Sequence, residues 1–387
     1  MMSSGYDGVL EGPEGVPDLV RVRAMFDEFA SSHNHLTLYS AICREVAGDA
    51  DTASLLLAAS PGQRRPVLWL AALHDLVLRR PDVAAARWYP SVVGQGRVPN
   101  GDPWPDVRQT VLEHREELTA AIATHSTQTN EVNRVVYLAA ALSAACADVV
   151  GVGVALVEMG ASAGLLLLLD HYRIERWSAH RTTHVGDPDA PVVCVGQDRS
   201  DPPSMATPLP RIVTRAGVDL HPVAVDDEAG LRWLEACLWP DVPGRVERFR
   251  AAIEMARECP PTLVRGDMVD DLAAVVALAQ QGAGPGSHVV VFSSWALTYV
   301  AKERRARVAE VLDHVAAQGV PVSWVTAEPW GCMPGIPLPP LPLPAAGDDS
   351  TVLAVRRWRE GVETEPLVLG TCHPHGLWID LTDLTAR

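Results

Sequence analysis

Apolar residues recur at three- and four-residue spacing from about Asp18 to Cys146. The segments VRVRAMFDEFA (20–30), RRPVLWLAALHDLVLRR (64–80), PDVRQTVLEHREELTAAIA (105–123) and NEVNRVVYLAAALSAA (130–145) each carry an apolar stripe with the period of a helix. Pro/Gly punctuation such as YPSVVGQGRVPNGDP (89–103) separates them. The pattern predicts an all-α domain over residues 18–147. After Gly151 the period changes. VALVEM (154–159), RIVTRAGV (211–218), TLVR (262–265), HVVVFS (288–293) and VPVSWVTA (320–327) are short runs rich in Val and Ile, most of them separated by helical stretches. They predict five buried strands of a mostly parallel α/β sheet over residues 151–387. TVLAVRRW (351–358) and LVLGTCHPHGLWIDL (367–381) follow with a short turn between them, which predicts an antiparallel hairpin at one sheet edge.

Three segments invite other readings. Residues 135–157 are apolar enough to suggest a membrane span, but Asp148 interrupts them and Gly151 and Gly153 follow, so a buried helix running into a buried strand fits better. Residues 1–17 are acidic and Gly-rich, with neither a basic start nor an apolar stretch, and predict a disordered tail in place of a secretory signal. The Pro-rich segment 329–344 reads as an extended rigid loop in preference to an SH3-type ligand.

Charge narrows the classes of partner. Acids outnumber bases 48 to 32, a net charge of −16 spread along the chain, and such a surface repels nucleic acid and anionic membranes. A small-molecule substrate is the expectation that remains. Seven scattered cysteines without a CxxC pair suit a reducing, cytoplasmic setting. Cys372-His373-Pro374-His375 matches no usual zinc spacing, so no metal is expected.

The most informative stretch is ALVEMGASAGLLLLLDHY (155–172). The first strand delivers Glu158. Gly160-Ala161-Ser162-Ala163-Gly164 then makes a tight turn, and an apolar helix is expected at once. Gly160 and Gly164 let backbone approach a ligand, while a helix N-terminus offers free N–H groups. A nucleotide-like ligand at the strand ends is one reading and a helix simply packed on the sheet is the other. The same five residues also match the G-x-S-x-G elbow of α/β-hydrolases, with Ser162 as nucleophile and His373 or His375 as its partner. Such an elbow follows several earlier strands and a loop of oxyanion donors, and everything before residue 150 reads as helix.

The other strand ends carry polar residues in register. Asp219 ends the second strand, where an acid accepts from ribose hydroxyls. Asp267 lies just past the third, where adenine-facing groups belong. Ser293, Ser294 and Trp295 end the fourth and border the site. Asp219 and Asp267 are also well placed as turn or cap residues.

At these residues the sequence resembles a bacterial family of unknown function with a helical N-terminal region and a class I, S-adenosylmethionine-dependent methyltransferase-like Rossmann domain. The likeness rests on FDEFA (26–30), HDLVL (74–78), YPS (89–91), QTNEVNR (128–134), VEMGASAGLLLLLD (157–170), RAGVDLHPV (215–223), WLEACLWP (233–240) and PHGLW (374–378). It implies S-adenosylmethionine as cofactor, and the glycine turn and strand ends read above then place Glu158, Gly160, Ser162, Gly164, Asp219, Asp267 and Ser293 around it. Where the resemblance implies an asparagine, this chain has Leu166. The function expected on such a fold is alkyl, most simply methyl, transfer to a small molecule. Aminocarboxypropyl transfer or cyclisation, a serine hydrolase and a non-catalytic binding protein are the alternatives.

Methyl transfer from a sulfonium needs the nucleophile held in line at about 3 to 3.5 Å, and a general base only for a poor nucleophile. The polar stretch Gln128, Asn130, Glu131, Arg134 opens an otherwise apolar helix. Asn130, Glu131 and Arg134, at spacings of three and four, share a helical face, which makes a lid with Asn130 and Glu131 catalytic and Gln128 and Arg134 substrate-binding. A cap and an internal ion pair are the competing reading. His171 as a base, and Tyr172 and Trp295 as substrate contacts, complete the candidates. His221 stands beside Asp219, and His74 reads as a satisfied core histidine.

Overall fold

The computed structural model describes residues 18–149, 151–205, 207–337 and 351–381. The tail at 1–17 and residues 338–344 of the Pro-rich stretch lie outside these. The chain forms two compact units. One runs up to Asn130 and takes in Asp227–Phe249; the other is Glu131–Asp226 with the chain from Arg250 onward.

The first unit is helical, as the spacing predicts. It contains α1 (Asp18–Ser32), α2 (Thr37–Gly48), α3 (Ala50–Ala53), α4 (Pro66–Arg79), α5 (Pro90–Val93), α6 (Trp104–Glu113) and α7 (Arg115–Thr124). The single helix expected over 105–123 is two, broken at His114, whose φ of −111° and ψ of 25° leave the helical region. After α8 (Val135–Ala145), which belongs to the second unit, α9 (Glu228–Ala236) returns to the first. The reason is visible at His74 on the apolar face of α4. The ring is fully buried, its Nε2 lies 2.7 Å from Ser91 Oγ and its Nδ1 3.1 Å from Ala236 O. HDLVL, YPS and WLEACLWP therefore meet at one satisfied core histidine. FDEFA joins the same core, Phe26 edge-on to Trp69 and Phe29 edge-on to Trp239.

Among the described residues the second unit is built on a mixed sheet of twelve strands. They are β1 (Val154–Met159), β2 (Arg173–Trp177), β3 (Thr182–Gly186), β4 (Val193–Asp198), β5 (Ile212–Asp219), β6 (Thr262–Arg265), β7 (His288–Ser294), β8 (Val322–Pro329), β9 (Thr351–Arg359), β10 (Val362–Glu363), β11 (Leu367–Cys372) and β12 (Trp378–Asp380). They lie in the order β3-β2-β4-β12-β11-β9-β8-β7-β1-β5-β6, with β10 beside β9. The five expected strands β6, β5, β1, β7 and β8 are adjacent and parallel. The chain leaves β1 in one direction for β5 and β6 and in the other for β7 and β8, so strand order reverses between β1 and β7. That is where open α/β sheets leave a crevice.

Helices α10 (Arg245–Glu258), α11 (Leu272–Ala283) and α12 (Lys302–Ala317) complete the α elements. Val157, Met159, Val291 and Trp324 turn one face of the sheet to Leu272, Val276, Val308 and Leu312 of α11 and α12. Helix α8 packs on the opposite face, with Ala145 O accepting from Ser323 Oγ at 3.2 Å. Cover on both faces explains why the central strands are unbroken apolar runs. It also accounts for the 135–157 stretch: α8 is followed by β1, and no helix among the described residues is long and apolar enough to cross a membrane.

Two expectations change. The β9–β11 hairpin is antiparallel as read, but it lies inside the sheet, because β12, β4, β2 and β3 continue beyond it. The apolar helix expected after the glycine turn is a seven-residue 3-10 segment, Leu165–His171, kinked at Leu168. Its five leucines are all buried, but Arg173 already enters β2, and strand pairing on both sides of β2 ends the helical stretch.

Candidate functional site

Around the β1/β7 switch point the strand ends bring together Glu158 and Met159 from β1, Asp219 from β5, Ser293 and Ser294 from β7 and Glu328 from β8. The turn after β1 is bound to β5. Gly160 and Ala161 donate their N–H groups to Val218 O, and Ser162 N–H donates to Asp219 Oδ2 at 2.8 Å. Asp219 Oδ1 accepts from His221 N–H at 2.8 Å. Asp219 is thus a turn-holding residue, and each oxygen retains a lone pair for a ligand donor.

The two glycines of the turn serve different ends. A Cβ on Gly164 would lie 2.7 Å from Pro261 Cγ, so this glycine is needed for packing against β6 and its approach. A Cβ on Gly160 would meet Ala296 Cβ at 3.0 Å, so this glycine lets the β1 turn close against the corner after β7. That corner is strained. Trp295 has φ 57° and Ser162 has φ 51°, both uncommon for residues with side chains, and they flank the switch point on either side.

Glu158 is 4% exposed, and its Oε2 has no hydrogen-bond partner among the described residues. Burial first, and then the neighbouring Asp219 charge, push its carboxyl well above the usual range, with Arg134 pulling the other way. Glu328 is fully buried, and its Oε1 accepts from Ala296 N–H at 3.1 Å and Leu297 N–H at 3.3 Å, holding the corner after Trp295. Burial pushes its carboxyl up to about 7, moderated by those two N–H groups, the Ser293 hydroxyl and Arg134.

A stability profile follows from Glu328. Its folded pKa lies above the unfolded value near 4.5, so its contribution is complete below pH 4.5 and is lost as pH rises through about 7. Glu328→Gln keeps an oxygen for the two N–H groups and removes the titration. Denaturation measured from pH 5 to pH 8 is expected to show a shallower loss of stability in the variant; an unchanged slope would remove Glu328 as its source.

The QTNEVNR segment departs from the lid reading. Gln128 and Asn130 belong to the first unit, Glu131 and Arg134 to the second. Glu131, with φ −89° and ψ 101°, stands before the helix as the N-cap, and its carboxylate accepts from Asn133 N–H at 3.0 Å. Asn130, Glu131 and Arg134 therefore do not share a helical face. Asn133, which the pattern reading passes over, exchanges hydrogen bonds with Val195 and donates to Gly376 O at 3.1 Å. Arg134 is 6% exposed; its Nε donates to Pro374 O and its Nη1 to Ser294 O, both at 3.0 Å. Tyr137 Oη lies 2.9 Å from Ser294 Oγ. These bonds join QTNEVNR, the PHGLW loop and the end of β7.

The remaining candidates are dispersed. His171 Nε2 lies 3.2 Å from Arg215, which also pairs with Asp170, four residues back from Asp219 along β5. At about 3.3 Å per residue this is roughly 13 Å from the strand end. Tyr172 is fully buried and donates to Leu165 O at 2.7 Å. Trp295 donates from Nε1 to Thr351 Oγ1 at 2.8 Å. Asp267 accepts from the N–H groups of Val269 and Asp270 and pairs with Arg304 at 2.9 Å, so it orders its own loop. Among the described residues no three His, Cys, Asp or Glu side chains gather as a metal site would require.

Over residues 23–381 the chain matches a family described as "Uncharacterized protein conserved in bacteria (DUF2332)". It belongs to that family. No curated protein matches the chain. The family match spans both the helical core at His74 and the strand-end cluster of the second unit. Glu328 is the site residue that the strand-end rule applied to Glu158 could have found, since VTAEPW also delivers an acid at the end of a buried strand.

Proposed function

We propose that the second unit binds S-adenosylmethionine at the strand ends around the β1/β7 switch point and transfers its methyl group to a small-molecule acceptor. The observation that carries this reading is the unpartnered, buried Oε2 of Glu158, which calls for a donor or a cation from a ligand. Asp219, with lone pairs left over, suits hydroxyl donors such as a ribose diol. The Asp219 carboxylate beside a Glu158 whose ionised form only a cation would favour opposes a phosphorylated ligand and suits a nucleoside-type one.

Glu158, Asp219 and the Gly160 turn would hold the cofactor, with Ser293 and Ser294 at the adjoining strand end. The cofactor supplies an electrophilic carbon on its sulfonium. The chain's own part is to orient the ligand and exclude water, and the packed corner of Gly160 against Ala296 serves that end. Calorimetry of the full chain with S-adenosylhomocysteine is expected to show saturable binding, weakened tenfold or more by Asp219→Ala. Heat and melting temperature unmoved at millimolar ligand would overturn the reading.

One observation favours a second reading. The positive φ of Ser162 is a feature of hydrolase elbows. Labelling of Ser162 by a fluorophosphonate would support a hydrolase, and complete inertness would dismiss it.

A further inference from the structure

We infer that Glu158 makes this site selective for a cation and gives up a proton when the cation arrives, so that a sulfonium is held and its neutral thioether product is let go. The inference rests on the cofactor reading above and deepens it.

The geometry is an acid pair short of one positive charge. Glu158 ends β1 with Oε2 sealed from solvent and without a hydrogen bond among the described residues. Asp219, Arg134, Tyr137 and Tyr172, on the elements around it, have partners of their own. From β5, Asp219 adds a like charge and gives its oxygens to Ser162 and His221. Arg134 is the cation that eases Glu158, yet its Nε and Nη1 are bound to the carbonyls of Pro374 and Ser294. Tyr137 of α8 is with Ser294 of β7. Tyr172, after the 3-10 segment, donates to Leu165 O.

A carboxyl so placed is favoured in its neutral form, in line with the raised pKa already described. A cation entering beside it favours the carboxylate. The O–H bond of Glu158 then breaks, the electron pair stays on the carboxylate and the proton passes to solvent. S-adenosylmethionine carries one positive charge more than S-adenosylhomocysteine, while the α-ammonium and α-carboxylate are common to both. Any difference in proton release between the two ligands therefore reports the sulfonium alone.

Calorimetry of the full chain at pH 7, in phosphate and in Tris, measures the protons released on binding. The expected result is proton release with S-adenosylmethionine that is at least twice the release with S-adenosylhomocysteine. Glu158→Gln is expected to abolish the release and to reduce the preference for the sulfonium tenfold or more. Equal release with both ligands on the unaltered protein would overturn this inference alone, and so would release unchanged in a folded Glu158→Gln variant. Binding of neither ligand would overturn the cofactor reading and this inference together. The comparison of ligands on the unaltered protein stands even if the variant fails to fold.

Discussion

Gly376→Ala is expected to destabilise the protein by about 3 kcal/mol or more. Gly376 has φ +72°, and a Cβ there would lie 2.0 Å from Asn133 O and 2.6 Å from Asn133 C. Backbone cannot yield as a flexible side chain does. Any retreat of the loop also breaks the bond from Asn133 Nδ2 to Gly376 O and the one from Arg134 Nε to Pro374 O. Gly319 is the control: its φ is +84° and nothing lies within 4 Å of the added carbon. Gly319→Ala then costs only the left-handed backbone penalty, about 1 kcal/mol. Urea denaturation of both variants separates the two terms. Equal losses would mean that the contact with Asn133 carries no energy.

That contact explains part of what the sequence could reveal. QTNEVNR and PHGLW stand out as polar and glycine-bearing islands in apolar surroundings, and their meeting gives the reason, but nothing in the spacing says that residues 133 and 376 touch. The central strands were legible because burial on both faces makes them apolar throughout: β1, β7 and β8 have every residue buried apart from Pro329. By contrast β2, β3 and β4 alternate or face solvent, and segments such as TTHVG carry too little apolar signal to be read as strands.

The glycine turn was legible as a turn, and its Glu158 and Asp219 do come together. The helix after it was not, since five leucines read equally well as an α-helix and as a short buried 3-10 segment. The lid face failed for a related reason. A spacing of three and four places residues together only where the helix has begun, and Glu131 is the residue that caps it. Asp267 shows the limit of the strand-end rule itself, because a carboxylate there serves equally well to order its own loop.

Arg134→Met is expected to cost about 2–5 kcal/mol, at about 1–3 kcal/mol for each carbonyl left without its donor, and the cost should grow as pH rises. The substitution fills similar volume but leaves the carbonyls of Pro374 and Ser294 without their donors. It also removes the cation that lowers the pKa of both Glu158 and Glu328. Both folded values then climb further above their unfolded ones. For such groups stability is complete below the unfolded pKa and lost as pH rises through the folded pKa, so removing Arg134 deepens the loss and extends it to higher pH. Denaturation of the variant and the unaltered protein at pH 5 and pH 8 measures this directly. The gap in stability should be wider at pH 8. A gap equal at both values would show that Arg134 acts through its two carbonyl partners alone, and that the buried acids at the switch point do not feel its charge.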